Sequence, residues 1–222
     1  MKVRRAQGVG GARAQGAGES GYALIALLAV MTLLMIAMMA AAPSIRQQAR
    51  REQELEAIAR GEEVAEAIRM YIRYKGGAPN SLPTSMDELL EGVAPAGRTK
   101  KVKVLRASAA RDPLSESGEW RIVKPRDEAM VRFVRDITEY AEGRTPTPTS
   151  DGALSGVAGQ LPQITGLVTG LGSGDKDEGG EDSSISTSGP FVGVASRNRN
   201  ESIITYYGID RHDRWVFTPF YR

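Results

Sequence analysis

The sequence predicts an α+β fold in which one long N-terminal helix, membrane-spanning over its first half, packs on a small antiparallel β-sheet. Three observations lead there. Tyr22 to Ala42 contains no charged residue. From Ser44 to Lys75 apolar side chains recur mostly at three- and four-residue steps, the period of one helix face. Beyond that come short alternating runs bounded by polar turns, the pattern of brief strands.

Bulk composition narrows the function classes. A chain of 222 residues holds one ordinary domain plus tails. Its 29 Lys and Arg stand against 27 Asp and Glu, so the whole molecule is not charged like a nucleic-acid binder. It has no cysteine, which removes disulfides, thiolate catalysis and thiolate metal sites together. At 6% aromatic residues, a small soluble core is expected. We divide the chain into a basic leader (1–21), a transmembrane part of the long helix (22–42) and its amphipathic continuation (43–75). A small head follows, built from 76–144 and 189–222, with a Gly/Ser/Thr-rich, disordered loop expected at 145–188.

The Tyr22–Ala42 run has 21 residues. As a helix it rises about 31 Å, close to the thickness of a bilayer's hydrocarbon core. Lys2, Arg4, Arg5 and Arg13 precede it against the single acid Glu19, so the N-terminus is expected in the cytoplasm. A cleaved secretory signal is the alternative. Its apolar region is usually only about 7–15 residues, and after Pro43 this chain continues as helix with no small-residue cleavage site leading into a mature start.

The residues just before the run, Glu19-Ser20-Gly21-Tyr22-Ala23-Leu24-Ile25-Ala26-Leu27-Leu28, resemble the leader junction of type IV prepilins and type II secretion pseudopilins. In that family a basic leader ends in glycine, an aromatic residue opens the mature protein, and a leucine- and isoleucine-rich helix follows. The resemblance implies a pilin-like fold, cleavage after Gly21 by a prepilin peptidase, and Tyr22 as the new, N-methylated terminus. It implies that Leu24, Ile25, Ala26, Leu33 and Pro43 lie on the helix that packs among other pilin-like subunits. Pro43 falls where many family members carry a helix-kinking proline. The fifth mature residue, normally Glu, is Ala26 here. That departure removes the family's carboxylate pairing with a neighbour's terminal amine and points to a minor or initiating subunit.

After Pro43 the expected stripe is Ile45, Ala49, Leu55, Ile58, Ala65, Ile68 and Ile72, ending at Gly76-Gly77. The charges between Arg46 and Glu63 are expected to form a solvated face, or else to register neighbouring subunits. A coiled-coil stalk is the rival, but strict heptads are not sustained. Ser85 and Glu88 have capping-box spacing, and Gly92 follows the last periodic leucine, which predicts a short helix. The segment around it resembles the stretch that follows the long helix in major-type pseudopilins. Gly118–Lys124 is expected as the first strand after Asp112-Pro113. Arg126–Tyr140 is expected as a helix burying Met130, Phe133, Val134 and Ile137. Strands are expected at 190–196, 202–207 and 214–218. The C-terminal segment also looks like the tail of a divergent pseudopilin-like group.

Candidate chemistry is sparse, and no catalytic or cofactor-binding residue is expected. His212 is the only histidine and is read as a surface residue beside Asp210 and Asp213. Asp175, Asp177 and Glu181 are weak calcium ligands in an acidic cluster with Glu178 and Asp182; Gly179 and Ser186 break the EF-hand pattern, which favours a solvated loop. The glycines between Gly8 and Gly18 lack the Gly-Lys-Ser/Thr ending of a phosphate loop. Within the basic stretch Arg98–Arg106, the patch from Lys100 to Arg106 is read as a charged strand or its flanking loop, with nucleic acid or anionic lipid as the alternatives. The expected partners are other pilin-like subunits, a prepilin peptidase and the bacterial inner membrane, with the head in the periplasm and no nucleic acid. An unprocessed, single-pass, membrane-anchored binding protein is the competing expectation.

Overall fold

The computed structural model describes residues 17–78, 80–95, 97–142, 151–159, 161 and 189–221. Residues 1–16 of the expected leader and most of 145–188, including Asp175, Asp177 and Glu181, lie outside the described residues. The chain divides into two units, Met1–Gln48 and Ala49–Arg222.

Helix α1, Ala17–Tyr74, supplies residues to both units and is helical through Pro43. In the first unit, Gly21–Met39 is long and apolar enough to cross a membrane, and none of it is buried by the chain itself. Every side chain from Gly21 to Met39 is exposed. The one polar group beyond Tyr22 in this stretch is self-satisfied: Thr32 Oγ1 donates to the carbonyls of Leu28 (2.7 Å) and Ala29 (2.9 Å). That arrangement suits a helix surrounded by lipid, where an unpaired hydroxyl is expensive.

The second unit is α+β. Helix α2 (Met86–Glu91) precedes strand β1 (Arg121–Val123) and helix α3 (Glu128–Tyr140). Then come helix α4 (Gly152–Ala158) and strands β2 (Gly193–Ala195), β3 (Glu201–Tyr206), β4 (Ile209–Arg211) and β5 (Val216–Phe217). One antiparallel sheet has the order β1-β2-β5, with Ile122 opposite Val194 and Val194 opposite Phe217. β3 and β4 form a separate hairpin.

The last turns of α1 supply the core. Ala57, Gly61, Val64, Ala65, Ile68 and Ile72 are buried, along with Val194, Trp215 and Phe217. Gly61 has a steric reason to be glycine: a β-carbon there would overlap the buried Phe217 ring. Of the expected stripe, Ala65, Ile68 and Ile72 are buried and Ile58 is partly so, whereas Ile45, Ala49 and Leu55 are exposed. The apolar period is therefore satisfied by the head only from Ala57 onward. α1 stops where glycine can adopt positive φ: Gly76 (φ 85°) and Gly77 (φ 71°) donate back to the carbonyls of Arg73 and Ile72, the crossed pair of a Schellman C-cap.

Helix α2 is capped by Ser85, whose side chain accepts the Glu88 N–H. The Glu88 carboxylate returns to the Thr84 N–H at 3.2 Å, one residue earlier than a strict capping box. α3 is capped by Asp127 and buries Met130, Phe133, Val134 and Ile137, as its period predicts. α4 corrects part of the expected 145–188 loop. Asp151 caps it, and its Leu154 and Val157, three residues apart, are both buried. The glycine- and serine-rich composition hides two apolar contacts on a single turn.

Candidate functional site

The junction predicted for processing lies inside α1. Tyr22 is 79% exposed. Gly21 has no heavy atom within 4 Å of where a β-carbon would sit, and its φ is not in the left-handed region. Glycine inside a helix costs about 1 kcal/mol relative to alanine, so neither packing nor backbone geometry explains this residue. Leu24, Ile25 and Leu33 are each more than 60% exposed, and Ala26 is exposed too. Together they form part of a continuous apolar surface that no described residue of the first unit covers.

In the second unit the chemistry gathers where α1 meets the C-terminal hairpin. Glu54 is fully buried, which corrects the expectation of a wholly solvated charge run. Its carboxylate accepts the backbone N–H of Ile203 (2.9 Å) and of Ile204 (2.9 Å). The third contact is His212 Nε2 at 3.0 Å. A carboxylate flanked by backbone donors accepts, so the ring proton belongs on Nε2. His212 is 1% exposed and sits edge-on to Trp215, centroids 4.9 Å apart. It is therefore not the surface residue expected from Asp210 and Asp213. Asp213 pairs instead with Arg211 at 3.2 Å. His212 Nδ1 has no partner, and an unfilled acceptor is the cheaper way to leave a ring nitrogen. Arg50, one turn before Glu54, donates to the Glu201 carbonyl and lies 3.8 Å from Glu54.

Two consecutive turns of α1 thus clasp strand β3. Glu54 and His212 face each other in the interior of the second unit. Sequence reasoning missed both, because what buries Glu54 lies some 150 positions away along the chain. The one available hint was that His212 is followed closely by the apolar Trp215-Val216-Phe217.

Other charged groups tie elements of the head together. Arg106 grips Glu63 through two bonds of 2.7 and 2.6 Å and, chiefly through them, holds that carboxyl below its ordinary range. Asp151 is held down to about 2, first by the Arg69 guanidinium and then by the Ala153 N–H and Arg73. Burial pushes the Tyr71 hydroxyl up, and Glu88, which accepts its proton at 2.7 Å, adds to the effect. Burial alone would raise Glu88, but bonds from Thr84 and Tyr71 outweigh it and leave Glu88 below its ordinary value. Burial likewise raises Asp136, whose Oδ2 has no partner. Among the described residues no group of three or more His, Asp or Glu side chains could hold a metal ion.

No protein-family model matches this chain, and neither a curated protein nor a solved structure gives a significant match to it.

Proposed function

We propose that this chain is a pilin-like subunit of a type II secretion pseudopilus or type IV pilus, acting as a minor or initiating member of the fibre. The observation that carries it is the pairing of Gly21, a helix glycine with nothing around it, with the uncharged and wholly exposed segment that starts there. An apolar helix surface of that length needs lipid, or other helices, to cover it. In this proposal a prepilin peptidase cuts after Gly21, and the helix from Tyr22 anchors the protein in the bacterial inner membrane. The leader faces the cytoplasm and the head the periplasm. The helix then moves into a bundle of related helices, and the protein works by assembly, making and breaking no bond itself. Ala26 in place of an acid fits a subunit that does not depend on a pairing with a neighbour's terminal amine.

The test is the mass and N-terminal sequence of membrane-extracted protein co-expressed with a prepilin peptidase. A start at Tyr22 carrying one extra methyl supports the proposal. A start at Met1 under the same conditions rejects it in favour of an unprocessed, membrane-anchored binding protein.

A further inference from the structure

The basic stretch Arg98–Arg106 belongs neither to the apolar helix nor to the Glu54 clasp, and its surroundings are specific. Its nine residues contain five cations and no acid. Two of the cations are spoken for: Lys101 pairs with Glu91 at 3.2 Å and Arg106 with Glu63 at 2.6 Å. Arg98, Lys100 and Lys103 are exposed and meet no carboxylate among the described residues. The segment is also held in place. Val93 and Val102 exchange backbone hydrogen bonds of 3.0 and 2.8 Å, and Gly92 closes α2 directly beside them. Next to this bridge lies an open depression of about 460 Å³, lined by Leu90, Lys103, Val104, Leu105, Arg106 and Ala107. Val102 adds an exposed apolar side chain next to the free lysines.

From this geometry we propose that the depression, with Lys103 on its lining and Arg98 and Lys100 on the same basic stretch, forms a docking surface for an acidic peptide segment of a partner protein. The segment would set an apolar side chain between carboxylates. The free cations supply the charge complement, and the apolar wall supplies what an anion alone would not use. A lipid surface fits less well, because its headgroups would not fill a concave apolar site. Nucleic acid fits less well too, since no aromatic side chain for base stacking lies between Arg98 and Arg106. Because the bridge fixes the segment beforehand, little ordering cost is added on binding. The proposal does not depend on the pilin-like reading.

The experiment uses the full chain in nanodiscs of neutral phosphatidylcholine, with fluorescence anisotropy of a labelled peptide in which leucines are spaced among glutamates. A second peptide replaces each leucine with serine. The expected result is saturable binding of the leucine peptide that weakens with salt. The serine peptide should bind several-fold more weakly, and Lys100→Glu with Lys103→Glu should lower affinity by about tenfold or more. Both lysines are exposed, so thermal unfolding of the double variant should match wild type, and that match is measured alongside. Absent binding, equal binding of the two peptides, or unchanged affinity in the folded double variant would each overturn the proposal. So would binding to phosphatidylglycerol vesicles that the double variant loses while peptide binding is indifferent to it, which would make the patch a lipid site.

Discussion

Removing the Glu54 carboxylate tests whether the clasp holds the C-terminal hairpin on α1. Glu54→Ala strands the Ile203 and Ile204 N–H groups and His212 Nε2. Ile203 is 47% exposed, so water can take its N–H; the Ile204 N–H and the buried ring nitrogen have less access to water. Each buried group left unsatisfied costs about 1–3 kcal/mol. Two of them give about 2–6 kcal/mol. We expect about 3 kcal/mol, because the alanine variant no longer carries the desolvation cost of the carboxylate itself. Glu54→Gln keeps one accepting oxygen and should lose less. The control is Glu56→Gln, whose exposed partner pair with Arg60 is worth at most about 0.5 kcal/mol. The assay is urea unfolding of the full chain in detergent, followed by tryptophan fluorescence. Trp215 lies edge-on against His212, and the chain has only one other tryptophan. If Glu54→Ala unfolds at the same urea concentration as Glu56→Gln, the clasp does not stabilise the head.

Four further outcomes can be measured on the same material. Gly61→Ala should destabilise the head by about 1–2 kcal/mol: helix propensity favours alanine by up to about 1 kcal/mol, but overlap with the buried Phe217 ring costs more. Thermal unfolding reads this out. Leu33→Arg puts a charge in the middle of the uncharged segment, at about 2.5–3.5 kcal/mol on insertion scales; alkaline-resistant membrane association should fall, and unchanged fractionation would reject a spanning helix. The Asp151 carboxyl has a lower value folded, about 2, than unfolded, about 3.9. Its contribution is therefore complete above the unfolded value and is lost as pH falls through about 2. Asp151→Asn should remove that part of the acid sensitivity, measured as unfolding midpoint between about pH 4 and pH 2. Gly21→Ala should not destabilise the protein and should stabilise its helix by up to about 1 kcal/mol, since a β-carbon there meets nothing among the described residues.

Local rules carried the sequence where local forces decide. The Ser85 cap, the buried face of α3 and the stop at Gly76 were all legible, because each depends on side chains within one or two turns. The uncharged run was legible from its length alone. What escaped notice was long-range. Leu55 and Ile45 fit the helical stripe, yet the head covers α1 only from Ala57 onward, apart from the buried Glu54. Glu54 looks like its neighbours Glu52 and Glu56 in sequence, and only the arrival of Ile203, Ile204 and His212 sets it apart. Strand β4 was missed because Tyr207-Gly208 turns with both φ positive, 50° and 76°, in a hairpin so tight that its second strand has three residues. Tyrosine is an unusual choice there, and its ring is used to pack against Phe133 and Tyr140.

Gly21 and Gly61 lie on the same helix and incur the same penalty, about 1 kcal/mol relative to alanine. At Gly61 the fold accounts for it: Phe217 occupies the space a side chain would take, and β5 could not approach α1 otherwise. At Gly21 the fold offers no return among the described residues, because none of them lies within 4 Å of a β-carbon there and the backbone is ordinary helix. A residue that costs stability and gains no contact is explained by an event other than folding. Cleavage next to it is such an event, since a protease must bring its catalytic groups close to the backbone on both sides of the bond. The two alanine variants therefore separate the roles. Gly61→Ala should lower stability and leave processing intact, whereas Gly21→Ala should keep or slightly raise stability and, if the proposed junction holds, leave the N-terminus at Met1. If Gly21→Ala were processed as fast as wild type, the glycine would have no account in either folding or cleavage, and the proposed junction would have to be abandoned.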